Sequence, residues 1–184
     1  MNENDPGMHW PAPRDVIELF QAGANRKVWP FRTPAMDIGP EAVSLNIGAG
    51  RKSVGRSYEL DYPEWDAETM DLPWGDSKVS VIYALHLFEH LTPEGVIRTL
   101  RECQRVLVSR GALNVVVPHR LSQGAYHDLD HKTFWCEETW RNLFHNPYSD
   151  KAGMRSGWEF EIGINLMIGL NERNLMLVTQ LIRQ

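Results

Sequence analysis

Residues 44–50 read SLNIGAG, a short apolar run stopped by two glycines, and this stretch predicts a buried first strand. From Val43 onward strand-like and helix-like segments alternate, which is the pattern of an α/β sheet with mostly parallel strands. YELD (58–61) and a short piece at 66–68 read as weaker second and third strands, and VSVIYAL (79–85) as a stronger fourth. Thr92, Pro93 and Glu94 then supply a hydroxyl cap, a proline in the first turn and an acid near the positive helix end. Val96, Leu100, Cys103 and Leu107 follow on one face, and Ser109-Arg110-Gly111 is the expected helix stop. ALNVVVP (112–118) makes a fifth strand, and Trp140, Leu143 and Phe144 mark another short helix. WEFEIGINLMIG (158–169) and RNLMLVTQLI (173–182) are two strands separated by only Leu170, Asn171 and Glu172, a gap that permits an antiparallel hairpin alone. The expected fold is α/β: a mainly parallel seven-stranded sheet with an antiparallel last strand.

The 184 residues carry 42% hydrophobic and 23% charged side chains, as one ordinary globular domain does. Residues 1–43 divide off as a polar, proline-rich arm, a short amphipathic helix through Val16, Ile17, Leu19 and Phe20, and a linker; residues 44–184 form the domain. Cys103 and Cys136 are the only cysteines and form no CxxC, which fits two thiols in a reducing compartment rather than a cysteine zinc site. A net charge of −5 gives no footprint for nucleic acid. The longest uncharged stretches, 79–88 and 162–171, are half a membrane span, and no secretory signal is visible. A cytoplasmic protein with a small-molecule partner is expected, its oligomeric state open. Seven tryptophans are many for this length.

In order, these pieces resemble the class I S-adenosylmethionine-dependent methyltransferases over about 44–182, in the small type-11-like form with a Rossmann-like sheet. LNIGAG (45–50) is similar to the family's glycine loop, AETMDLPWGDSKVSVIYALHLFEHL (67–91) to its third and fourth strands, and RVLVSRGALNVVVP (105–118) to its next helix, turn and strand. Glycine suits a loop whose backbone must approach a ligand beyond the carboxyl ends of parallel strands. The resemblance implies S-adenosylmethionine as cofactor, held by Gly48, Ala49 and Gly50, by Asp61 at the ribose hydroxyls, and by Glu68, Met70 and Leu72 along the adenine wall. His86, Glu89 and His90 would face the sulfonium and acceptor, His119 and the cluster YHDLDHKTFW (126–135) are further polar candidates, and His131 and Asp128 are the expected substrate contacts; Phe134 resembles an aromatic near the family's acceptor. The implied activity is methyl transfer to a small metabolite, sugar or nucleotide. The alternatives are an inactive relative kept as a binding or scaffolding protein, and an enzyme that cleaves the cofactor itself.

The chain departs from the family in one respect. Only residues 48–56 separate the first two strands, fewer than the roughly 10–12 that a crossover with its helix needs, and the link from Asp61 to Glu68 is shorter still. The first two crossover helices are expected to be lost or reduced, with residues 14–43 as the available cover and tryptophans filling the vacated volume. Trp74, Trp135 and Trp140 are alternative lining for an acceptor pocket. His86-Leu87-Phe88-Glu89-His90 also reads as the zinc motif HxxEH, which needs both histidines on one helix face, whereas here a strand runs straight into it. His127, Asp128, Asp130 and His131 have the side chains to bind a divalent metal beside an acceptor hydroxyl, with a solvated polar loop as the preferred reading, and no metal ligand is assigned from the sequence. Asn146-Pro147-Tyr148-Ser149 resembles the NPPY tetrapeptide of base-amine methyltransferases but lies far from the fourth strand, and is read as a turn.

Overall fold

The computed structural model describes residues 43–50, 54, 57–145, 157–168 and 175–184. The arm, helix and linker expected over residues 1–42, and the turn expected at 146–149, lie outside them. Six strands occur among the described residues: β1 (Ser44–Ile47), β2 (Tyr58–Leu60), β3 (Val79–Leu85), β4 (Leu107–Pro118), β5 (Phe160–Ile168) and β6 (Met176–Arg183). They pair in the order β2-β1-β3-β4-β6-β5. The first four are parallel, and β6 runs antiparallel to both of its neighbours. The hairpin read from the short gap after Ile168 is therefore present, with its second strand inserted beside β4. Two helices, α1 (Pro93–Val106) and α2 (Glu137–His145), and a 3-10 turn at Phe88–His90 complete what positions the site.

The third of the seven expected strands, at 66–68, is absent and the stretch turns instead. Backbone groups of residues 67–72 are bonded by side chains of α1. Thr99 Oγ1 donates to Ala67 O at 3.1 Å, Arg98 Nη2 to Thr69 O at 3.0 Å, and Glu102 Oε2 accepts Leu72 N–H at 2.8 Å. Peptide groups bonded along a helix are not available to a strand ladder. Between β2 and β3 there is no helix, as the short spacing predicts, and the described residues between β1 and β2 hold none either.

Helix α1 begins where its sequence says it should: Thr92 Oγ1 accepts Gly95 N–H at 3.1 Å and Pro93 occupies the first turn. It ends at Val106, earlier than the expected stop at Gly111. Leu107 already pairs with Val79, residues 108–111 bulge out, and Ala112 resumes the ladder opposite Val81. Arg110 has φ 64°, and a Cβ on Gly111 would lie 2.9 Å from Val108 O, so the glycine serves a bulge instead of a helix terminus.

The main core lies on the face that carries both helices. Leu45, Ile47, Ile82, Leu113 and Leu177 from the strands meet Leu100, Val106 and Trp140 from the helices. Trp65, Trp135 and Trp140 are buried there, and Trp140 packs 4.6 Å from Trp135 between the Phe88 and Phe144 rings. Trp135 and Trp140, two of the tryptophans considered for an acceptor pocket, are thus part of the core. A smaller cluster on the opposite face joins Val54, Leu85, Val116, Ile164, Met176 and Val178. No helix among the described residues is long and apolar enough to cross a membrane.

Candidate active site

Because β1, β2 and β3 are parallel, their carboxyl ends lie side by side. Gly48 and Gly50 follow β1 with φ of 64° and 55°, a conformation that costs other residues about 1–2 kcal/mol. A Cβ on Gly48 would stand 2.8 Å from Leu87 Cδ1, so the loop is pressed against the turn that follows β3. A Cβ on Gly50 would meet nothing within 4 Å among the described residues. Ala49 N–H donates to Leu60 O at 3.2 Å, tying the loop to the end of β2, where half-buried Asp61 comes next. Gly48, Ala49, Gly50, Asp61 and His86 are thereby gathered at three adjacent strand ends.

His86 leaves β3 with φ 61°, a left-handed conformation in a non-glycine residue. Its N–H is held by Val116 O at 2.8 Å, and its Nδ1–H donates to Glu89 Oε1 at 2.9 Å. Glu89 sits in the 3-10 turn and is only 1% exposed. Its carbonyl accepts Lys132 N–H at 2.7 Å and Thr133 N–H at 3.2 Å, while Thr133 Oγ1 donates to Phe88 O at 2.8 Å. These bonds fasten residues 131–133 to the turn and bring His131 beside His90, ring centroids 4.8 Å apart. Asp128 is exposed next to them. The Asp130 N–H bonded to its carboxylate at 3.0 Å holds its pKa below the usual range, helped by the charges of His131, His90 and His127.

The residues expected along the adenine wall have the following surroundings. Glu68 accepts Thr92 N–H at 2.7 Å on one oxygen and Thr92 Oγ1–H at 2.6 Å on the other, at the start of α1. Burial opposes its charge, but the bonds from Thr92 and the Lys132 ammonium 3.3 Å away outweigh that and lower its pKa. Leu72 is 2% exposed, in the main core. Met70 is exposed. His119, buried at the end of β4, accepts Leu121 N–H on Nδ1 and so donates from Nε2 to Glu137 Oε2 at 3.1 Å, a structural link to α2. A cavity of about 770 Å³ opens elsewhere, between the start of α1, residues 132–135 and α2; its walls include Val96, Phe134, Trp135 and Leu143, but none of Gly48, Asp61 or His86.

His90, read with His86 and Glu89 after the fourth strand, and Lys132, within the polar cluster 126–135, are both brought to the site. His90 is visible in the HxxEH pattern, which a 3-10 turn serves here in place of a helix. Lys132 carries no signal of its own beyond its position after His131.

A family profile described as "Methyltransferase domain" matches residues 21–115, which is more than half of the chain. The chain belongs to this methyltransferase family. No curated protein matches it in sequence. Among solved structures, a chain of the complex between the Haloferax volcanii Trm112 methyltransferase activator and a methyltransferase is 16% identical with a TM-score of 0.58, covering 92% of this chain and 96% of that one. The N-methyltransferase NodS from Bradyrhizobium japonicum, in complex with S-adenosyl-L-homocysteine, is 8% identical with a TM-score of 0.57, covering 94% and 89%. The YcgJ protein of Bacillus subtilis is 14% identical with a TM-score of 0.56, covering 93% and 99%. At these identities the likeness establishes the methyltransferase fold, Rossmann-like with an antiparallel strand in the sheet. The expected seven strands are six among the described residues.

Proposed function

We propose that this methyltransferase transfers a methyl group from S-adenosylmethionine to a small acceptor: a metabolite, sugar or nucleotide. The observation that carries the reading is the left-handed pair Gly48 and Gly50, with Gly48 pressed against Leu87 and no described residue within 4 Å of a Cβ on Gly50, and with Asp61 and His86 at the next strand ends. These residues fit the cofactor: the bare backbone of 48–50 for its amino-acid end, the Asp61 carboxylate for its ribose hydroxyls, and His86 near the reacting end. When bound, S-adenosylmethionine supplies a methyl group already activated on a sulfonium.

The chain then has to align the acceptor and exclude water. The bond to Glu89 fixes the ring of His86 in orientation and tautomer. Glu89, His131 and Asp128 lie on the same side and serve as acceptor contacts or, for an acceptor with a proton to lose, as its base. Tyr126 and Phe134 stack at 4.9 Å while staying 60% and 47% exposed. Flanking His131, they offer an apolar face to a sugar or nucleobase. Glu68 and Leu72 act on the fold in this reading, and Met70 stays at the margin.

Calorimetric titration with S-adenosylmethionine and S-adenosylhomocysteine tests the assignment. The wild type is expected to bind both, and Asp61→Ala to weaken binding by about 10- to 100-fold, the worth of hydrogen bonds to a charged group. A wild type that binds neither overturns the enzyme reading. Binding unchanged in Asp61→Ala overturns the placement of the ribose alone.

A further inference from the structure

Glu89, His90 and His131 each bring one ligand-type atom, a ring nitrogen or a carboxylate oxygen, to within 4.8 Å of the other two. Glu89 Oε1 is taken by His86 Nδ1–H, but Glu89 Oε2 is buried with no hydrogen-bond partner among the described residues. A carboxylate oxygen withdrawn from water normally has a donor or a cation to replace the lost hydration. His131 Nδ1–H donates to Ala125 O at 3.1 Å, so its Nε2 carries the free lone pair. A backbone carbonyl that fixes the tautomer in this way is what stands behind a metal-binding histidine, and the His86 bond to Oε1 plays the same part for the carboxylate. The two segments are already fastened, since Glu89 O holds Lys132 N–H and Thr133 N–H.

We propose that Glu89, His90 and His131 form a binding site for a divalent first-row transition-metal ion. Two imidazole nitrogens and one carboxylate oxygen are the donor set of zinc, cobalt, manganese and iron, whereas calcium and magnesium take oxygen ligands. Donor atoms about 2.0–2.2 Å from such an ion stand roughly 3.3 Å apart, so the site closes on binding. Half-exposed His90, whose ring edges His131, supplies the movement by rotating. The nearby Lys132 ammonium is engaged by Glu68, 3.3 Å away. The Asp128 carboxylate faces the cluster from the surface and His127 lies beside it. The site shares Glu89 and His131 with the acceptor side proposed above, where an ion would take the place of their direct contact with the acceptor, but metal binding does not depend on the cofactor crevice being functional.

The test uses the full chain, freed of metal by a chelator and titrated with Zn²⁺ by calorimetry and with Co²⁺ by visible absorption. One ion per chain is expected, with cobalt d–d bands of a nitrogen- and oxygen-ligated site. Loss of an outer partner commonly costs 10- to 100-fold in affinity, so His86→Asn is expected within that range, and Glu89→Gln and His131→Asn beyond about 100-fold. His127→Asn is expected to bind as the wild type does. His131 is on the surface side, so its variant reports even if Glu89→Gln fails to fold. A wild type without stoichiometric binding of either ion overturns the proposal, and so does binding that survives His90→Asn and His131→Asn unchanged.

Discussion

Replacing Gly95 by alanine inside α1 would ordinarily stabilise a helix by up to about 1 kcal/mol, because glycine has more backbone freedom to lose. Here the sign is expected to reverse. A Cβ on Gly95 would stand 2.3 Å from Glu68 Oε2 and 2.6 Å from its Cδ. The carboxylate can swing aside, so the cost is not steric; it is the two bonds to Thr92, 2.7 and 2.6 Å long, that it must leave. Hydrogen bonds to a charged group are worth about 1.5–3 kcal/mol, and with the Glu68 side chain 26% exposed each of the two stands at or just below the low end, which makes about 2–3 kcal/mol for both. Gly95→Ala is therefore expected to cost the wild type about 1–2 kcal/mol net. In a Glu68→Ala background nothing is displaced, and the same change is expected to gain up to about 1 kcal/mol. Urea unfolding of the four proteins measures both, and the coupling of about 2–3 kcal/mol is the double-mutant term. Should Gly95→Ala raise the midpoint equally in both backgrounds, the idea that Glu68 anchors the start of α1 is wrong.

The same carboxylate gives a pH dependence. Its pKa is lowered on folding, so its contribution is fully present above the usual carboxylate range and is lost as pH falls through its lowered folded value. Between about pH 5 and pH 3 the wild type is expected to lose more unfolding free energy than Glu68→Gln, and parallel curves would refute this. The two thiols should differ in reactivity. Cys103 is fully buried and its pKa is pushed well up by burial and by Glu102, whereas in half-buried Cys136 burial is outweighed by hydrogen bonds from Thr139, Glu138 and Arg120 that lower it. Iodoacetamide is expected to label only Cys136 quickly in the native protein and both thiols after unfolding. Rapid native labelling of Cys136→Ser would count against that assignment.

Much of the fold was legible because its signals are local. The cap at Thr92, the proline after it and the apolar runs of β1, β3 and β4 each depend on neighbours within a few residues, and all form where the sequence places them. The errors fall where a distant partner intervenes. Residues 66–68 have strand-like neighbours, but the side chains that hold this stretch sit about 30 residues further along, on α1. Gly111 looks like a helix terminator, yet pairing of Leu107 with Val79 ends the helix first. The bonds of Glu68 to Thr92, 24 residues away, are likewise invisible to spacing along the chain.

By itself the sequence determined that this is an α/β chain with a glycine loop after its first strand, two shortened crossovers and an antiparallel hairpin at the end. Periodicity, turn chemistry and loop length are properties of contiguous residues, so no tertiary information is needed to read them. Only the tertiary structure decided which polar side chains meet. It assigned Glu68 to the start of α1 and gathered His86, Glu89, His90 and His131 beyond the end of β3, leaving Glu89 Oε2 without a partner. Such meetings depend on how separate segments dock, through bonds such as those from Lys132 and Thr133 to Glu89 O, and residue spacing along the chain does not encode them.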